Sequence, residues 1–540
     1  MYQMDKANTT STSGWQSLRL PAAFFKANET FYIFDINHVN FLEVTKIIFD
    51  VASFIQQSPK DCHQLAAALP EYSVEDIRDA LCEIEEIQRQ SFLKPMSFQR
   101  NNRYSLDEIK KNLTTNLEGL YLNITSKCNL SCSYCIFGGK YENQPSLDQQ
   151  EMSWDVAQKA IDFFFSNARQ EGRLRVDFFG GEPLMAFPLM KRITESLEEK
   201  TAQRKQELLI SISSNGTLLN DQIIDFLIKH NVLYQISIDG DKEIHDLNRK
   251  FKTSDIGTFD TILKNLQRIF DKNEEYFKKM VRLKAVITTE SLDIGGISFF
   301  EIPLIKILKE RRSCSILNKS PQYDLEKDQD FFLRIDKLAQ SLLQKKDTST
   351  VEELLEGLNY KKKNLFYLTL YNFFQVQVVN ASFGLDQTIP FLKDCLIGIQ
   401  GCVNIDGGIS ICYNSKTFII GDVLKNTWYF DKIEEFHKKR YGIPDCKNCF
   451  IQRFCYLCYE KLNGNNDQFD ASVKKYCEFN RHYYRTIFDY MLKIVGNNPN
   501  LWNEIQIIIE TEQKLLNPNL NETPTSFKEG DNEFSNAESN

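Results

Sequence analysis

No apolar run in this chain approaches the roughly 20 residues that a membrane-crossing helix needs. Met1 to Ser13 is polar and lacks the apolar core of a secretory signal. These two absences predict a cytoplasmic protein with no membrane partner. Basic charge is not in excess: the formal net charge is −8, which argues against nucleic acid as the main partner. Histidine is scarce, with 6 in 540 residues, and none lies near the cysteine-rich loop described below.

Cysteine, by contrast, is abundant. The chain carries 14, many for a compartment in which disulfides are rarely kept, and their clustered spacing points to metal rather than to bridges. A hydrophobic share of 42% supports large cores, and the length suggests two to four domains.

The stretch Cys128-Asn-Leu-Ser-Cys132-Ser-Tyr-Cys135 follows a short apolar strand-like run at 120–124. It gathers three thiols on one loop at C-x3-C-x2-C spacing. Thiolates are soft ligands that select iron–sulfur clusters, zinc or cuprous ions. Structural zinc normally closes its shell with a fourth Cys or His. A four-iron cube held by three cysteines keeps one iron open instead, and the missing histidine favours that reading.

The spacing, Tyr134 before the last cysteine and the later Gly180-Gly181-Glu182-Pro183 resemble the radical SAM superfamily. The resemblance implies a [4Fe-4S] cluster on Cys128, Cys132 and Cys135 whose open iron binds S-adenosylmethionine (SAM). Reductive cleavage then yields a 5′-deoxyadenosyl radical that takes hydrogen from a substrate. Gly180, Gly181, Glu182 and Pro183 would hold the methionyl amine. Ser213 and Asn215 at the end of a third strand, and Ser237 at the end of a fourth, would bond the ribose and carboxylate. Asn-Gly and Asp-Gly are also ordinary turn formers. His245 and Arg249 share a helix face at i, i+4 and either brace their loop or meet substrate, with bracing favoured.

Strand-like runs at 120–124, 174–179, 208–213, 233–238 and 281–288 alternate with helix-like runs at 154–169, 189–205, 221–230 and 259–278. Alternation predicts parallel strands with right-handed crossovers, and the resemblance implies an α/β fold built on a partial (β/α)6 TIM barrel over 116–311. Residues 1–17 read as a disordered lead. Residues 18–115 read as a strand at 31–35 followed by helices at 42–56, 62–69 and 74–91. That order resembles the winged-helix-like peptide recognition element of ribosomal-peptide-modifying systems, which adds an extended leader peptide to a sheet edge. A plain accessory domain is the alternative. Residues 312–390 read as a mainly helical link, and 492–540 as a helix followed by a disordered tail. Cys62, Cys82 and Cys314 read as core or incidental residues.

The second cysteine field occupies 391–491. Cys446-x2-Cys449-x5-Cys455-x2-Cys458 is a pair of knuckles for which zinc is the usual default. With Cys395, Cys412 and Cys477, the order resembles the SPASM extension of radical SAM peptide maturases, which carries two auxiliary [4Fe-4S] clusters. By that resemblance Cys446, Cys449, Cys455 and Cys477 hold the outer cluster, and Cys395, Cys412 and Cys458 the inner one. The usual extra cysteine upstream of Cys395 is missing, so either Cys402 completes the inner cluster or one iron stays open.

Together these features predict a radical SAM/SPASM maturase that forms a thioether or carbon–carbon crosslink in a ribosomally made precursor peptide. An electron donor such as flavodoxin or ferredoxin would serve it. The alternatives are an anaerobic sulfatase-maturating enzyme that makes formylglycine, against which the extra N-terminal domain argues, and a peptide epimerase using Cys314 or Cys402 as hydrogen donor. A zinc-stabilised peptide-binding scaffold is the reading without chemistry.

Overall fold

The structure is a computed structural model. It describes residues 20–38, 40–57, 62–90, 92–93, 105–135, 137–138, 147–287, 302–308, 312–316, 329–346, 353–354, 400–412, 418–441, 449–452, 454–455, 466–498, 500–501 and 504. The expected lead at 1–17, Cys395, Cys446 and Cys458 lie outside those residues, as do most of the link expected at 312–390 and nearly all of 499–540.

The first unit is a three-stranded antiparallel sheet in the order β1 (Ala22–Ala27), β2 (Thr30–Asp35), β3 (Asn40–Val44). The helices Lys46–Gln57, Cys62–Ala68 and Val74–Arg89 follow it. The stretch 42–44 is strand rather than helix: Leu42 pairs with Ile33 and is buried. A short apolar run cannot be assigned by periodicity alone. Ser73 starts the third helix with a reciprocal capping box to Asp76.

Strand alternation gives this sheet two apolar faces. Ile33 and Leu42 pack with Val51, Leu81 and Ile84 of the helices. Phe25, Phe34 and Phe41 pack instead on Phe488 of the long helix Asn466–Asn497 and on Phe454. The sheet is therefore filled on both sides. On β1, the carbonyls of Ala22 and Phe24 accept from Gln56 and Arg485.

The second sheet is the frame of the molecule. Strands β4 (Gly119–Thr125), β5 (Leu174–Gly180), β6 (Leu208–Ser214), β7 (Leu233–Ser237), β8 (Val281–Ile287) and β9 (Arg312–Ile316) pair in parallel in sequence order. The sixth strand starts past residue 311, because its sequence, Arg-Ser-Cys-Ser-Ile, carries little apolar signal. Leu120, Leu122, Val176, Phe178, Ile210, Ile212 and Ile236 pack outward into one buried core with Ala157, Ile161, Ile193 and Leu227 of the crossover helices. The run expected as one helix at 259–278 is two, Phe259–Lys272 and Glu274–Met280. They break at Asn273, whose side chain caps the second by accepting from Tyr276 N–H at 2.9 Å.

The cysteine-rich C-terminal region joins this same sheet. Strand β10 (Gln400–Val403) pairs in parallel with β4, and β11 (Gly408–Ser410), β12 (Ile419–Asp422) and β13 (Thr427–Trp428) continue antiparallel, making ten strands. Cys402 stands opposite Tyr121 in that register.

Candidate active site

Parallel barrels present their chemistry where the strands end, and the cysteine loop leaves the end of β4 there. Three backbone bonds fix it to the last residue of the helix Lys242–Asn248 and to the segment that follows. Ser131 N–H donates to Lys250 O at 3.0 Å, Ser133 N–H to Asn248 O at 3.0 Å, and Lys252 N–H to Asn129 O at 2.9 Å. Cys135 N–H turns back to Cys132 O at 3.2 Å. Cys128 Sγ accepts from Leu130 N–H at 3.5 Å. Burial pushes the Cys128 thiol up to about 12 and the Cys132 thiol up to about 11, so both keep their protons until a cation replaces them.

Gly180 and Gly181 lie against this loop. Gly181 N–H donates to Thr125 O and Glu182 N–H to Lys127 O, each at 2.8 Å. Gly180 has φ +137°, and a Cβ on either glycine would overlap the carbonyl of Thr125 or Lys127. Only glycine permits that approach. Glu182 then caps the short turn Pro183–Ala186, accepting from Leu184 N–H at 3.1 Å. Its buried carboxylate also accepts from Ser214 Oγ at 2.9 Å and Asn215 N–H at 2.7 Å. Burial outweighs those donors and holds its pKa up at about 7. Three donors leave a carboxylate about one acceptor site of four, which suits an incoming ammonium group.

Asn215 is less free than expected for a cofactor contact. Its Nδ2 donates to Asn129 Oδ1 at 2.9 Å, and its Oδ1 accepts from Thr217 N–H at 3.0 Å, so it ties β6 to the cysteine loop. Ser213 and Ser237 are part-exposed on the inner face. Tyr134 is buried, with its hydroxyl donating to Asp239. His245 and Arg249 both turn inward around Asp239: Asp239 N–H donates to His245 Nδ1 at 3.3 Å, and Arg249 Nε to Asp239 Oδ2 at 2.9 Å. Bracing is the arrangement seen.

The inner face of the sheet carries polar residues that the motif reading did not single out. Arg175 grips Asp177 with Nε and Nη2 at 2.8 and 2.9 Å, and Ser211 donates to the same carboxylate. In register across the sheet run Cys402, Tyr121, Asp177 and Ser211. Burial raises the Tyr121 pKa, lowers that of Lys284 on β8, and pushes the Cys402 thiol up to about 12. The signal was the alternation in Leu174-Arg-Val-Asp-Phe. Polar residues at every second position must face away from the helix-covered side.

Of the second cysteine field, the described thiols stand in different surroundings. Cys412 follows β11, Cys449 packs beside the aromatic cluster under the N-terminal sheet, and Cys455 and Cys477 pack against the core of the ten-stranded sheet. Among the described residues no three His, Cys, Asp or Glu side chains converge as a single metal ion requires. A four-iron cube takes each thiolate on a different iron, so the soft donor set Cys128, Cys132 and Cys135 fits a cluster. Among the described residues no helix is long and apolar enough to cross a membrane.

A six-stranded parallel sheet with three thiols on the loop after its first strand is the arrangement that the radical SAM resemblance implied. Residues 122–280 match the model of the Radical SAM superfamily. The cysteine-type anaerobic sulfatase-maturating enzyme of Clostridium perfringens is 25% identical over 394 residues, covering 69% of this chain and 96% of that protein. The radical SAM cyclopropyl synthase TigE of Paramaledivibacter caminithermalis is 21% identical over 280 residues, 50% of this chain and 56% of that one. Among solved structures, anSMEcpe with bound AdoMet and Kp18Cys peptide aligns at TM-score 0.46 and 21% identity, over 70% of this chain and 99% of that one.

Proposed function

We propose that the chain is a radical SAM enzyme that oxidises the β-carbon of a Cys or Ser residue in a polypeptide substrate, the chemistry of anaerobic sulfatase maturation. The observation that carries this reading is the similarity to the C. perfringens sulfatase-maturating enzyme across 96% of its length. This reverses the order of preference drawn from the motifs, which put peptide crosslinking first. Cys128, Cys132 and Cys135 would hold the cluster, and Glu182 the methionyl amine with its remaining acceptor site. When bound, cluster and SAM supply the radical that removes hydrogen. The chain's own part is to orient and to exclude water: Ser213 and Ser237 line the inner face, and the Arg175–Asp177–Ser211 group presents fixed polar contacts to whatever enters. For Cys the overall change would be a two-electron oxidation at Cβ, matched by the two-electron reduction of SAM to methionine and 5′-deoxyadenosine, with sulfur leaving as sulfide and the aldehyde oxygen coming from water.

The folded N-terminal unit supports a second reading, crosslinking of a ribosomally made precursor whose leader pairs with β3, the sheet edge opposite β1. By the resemblance, Cys412, Cys449, Cys455 and Cys477, with Cys395, Cys446 and Cys458, would then serve auxiliary clusters, with Cys402 completing the inner one or one of its irons left open. One experiment separates the readings. The anaerobically reconstituted protein is given SAM, reductant and either a Cys-containing sulfatase peptide or a short Cys-containing peptide encoded beside this gene. Loss of sulfur with a hydrazine-reactive aldehyde supports oxidation. Loss of two hydrogens with the thiol blocked and no aldehyde replaces it with crosslinking. Unchanged mass in both peptides contradicts both.

A further inference from the structure

Arg249 is a buried charge to which the proposed reaction assigns no task. It caps the C-terminus of the helix Lys242–Asn248, its N–H bonded to His245 O at 2.8 Å. Its side chain is only 9% exposed. The guanidinium reaches in three directions: Nε donates to Asp239 Oδ2 at 2.9 Å, Cζ lies 5.3 Å from the centre of the Tyr134 ring, and Nη1 stands 4.0 Å from Cys132 Sγ.

Asp239 is itself fully engaged. Val286 N–H donates to its Oδ1 at 2.9 Å, and the Tyr134 hydroxyl and Arg249 Nε both donate to Oδ2. The carboxylate therefore holds the guanidinium by one edge and leaves the other edge towards the cysteine loop. His245 adds no charge. It is wholly buried, and burial drives its pKa down to about 3. Its Nδ1 accepts from Asp239 N–H and its Nε2 meets Thr258 Oγ1 at 2.8 Å, which fixes the ring as a neutral strut. Glu182 is another charged group acting on the loop, on the Cys128 side.

We infer that Arg249, aimed by Asp239 and Tyr134, is a positioning residue that sets the reduction potential of the cluster held by Cys128, Cys132 and Cys135. The inference rests on the cluster reading above. Reduction adds one negative charge beside a cation that cannot move away and that water does not screen, so the cation favours the reduced state. Groups around the sulfur ligands are a principal means by which proteins tune such centres. Asp239 partly cancels the guanidinium, so removing either partner must move the potential in opposite directions.

The test compares wild type, Arg249→Gln, Arg249→Lys and Asp239→Asn, each reconstituted anaerobically with iron and sulfide and assayed for iron. Redox titration follows the electron paramagnetic resonance signal that SAM perturbs, which isolates this cluster from any other. Arg249→Gln should be about tenfold harder to reduce, about 59 mV lower for one electron. Asp239→Asn should shift the other way, and Arg249→Lys should stay near wild type. A merely structural role would loosen the loop and move Arg249→Gln and Asp239→Asn in the same direction. That result, or wild-type iron with an unmoved potential in Arg249→Gln, overturns the inference. Should Arg249→Gln fail to take up iron, Asp239→Asn decides, and a potential not above wild type overturns it. A wild-type chain that takes up no iron removes the cluster reading itself.

Discussion

The backbone N–H of Glu182 donates to the carbonyl of Lys127 at 2.8 Å, tying the turn after β5 to the residue that precedes Cys128. The Gly-Gly-Glu-Pro segment is thus part of the wall of the cysteine loop as well as a candidate seat for the cofactor amine.

Gly181→Ala follows from that contact. A methyl group there would overlap Lys127 O, a backbone atom with no room to yield. The substitution should cost about 3 kcal/mol or more and reduce iron uptake at the same time. Thermal unfolding and iron per chain measure the two effects. A variant of native stability would show that the turn and the loop are not locked together.

How much of this was legible in the sequence depends on where each contact lies along the chain. The cysteine loop and the glycine turn are contiguous, and their residue types announce their chemistry. The closing of β10 on β4 is not, because Asn123 and Cys402 meet across 279 positions and periodicity carries no information on such pairing. Asp239 reads locally as a turn residue, since only the fold brings Tyr134, Arg249 and Val286 to its carboxylate. Leu42 reads as helix because a strand of five residues, Asn40–Val44, is too short to show a period of its own.

The titration of Glu182 gives a pH dependence in the iron-free protein. Burial raises its pKa from 4.5 to about 7. A folded-state value above the unfolded one contributes stability that is full below about 4.5 and is lost as pH rises through about 7. Unfolding midpoints across that interval should fall with rising pH, and Glu182→Gln should flatten the difference. Parallel profiles for the two proteins would contradict the assignment.

Phe488 joins the two ends of the chain. Its ring lies 5.8 Å from Phe25, 5.6 Å from Phe41 and 5.4 Å from Phe454, and it is 1% exposed. Phe488→Ala should cost about 3–5 kcal/mol and free the N-terminal unit from the helix Asn466–Asn497. Limited proteolysis should then cut between that unit and the barrel faster than in wild type. Unchanged cleavage would mean that the other rings suffice.

The most direct test of the account is production of 5′-deoxyadenosine from SAM by the reduced, iron-loaded protein, beside a variant in which Cys128, Cys132 and Cys135 are all Ala. The account predicts 5′-deoxyadenosine from the wild type and none from the variant. Equal formation by both proteins, or none from an iron-loaded wild type, would contradict it.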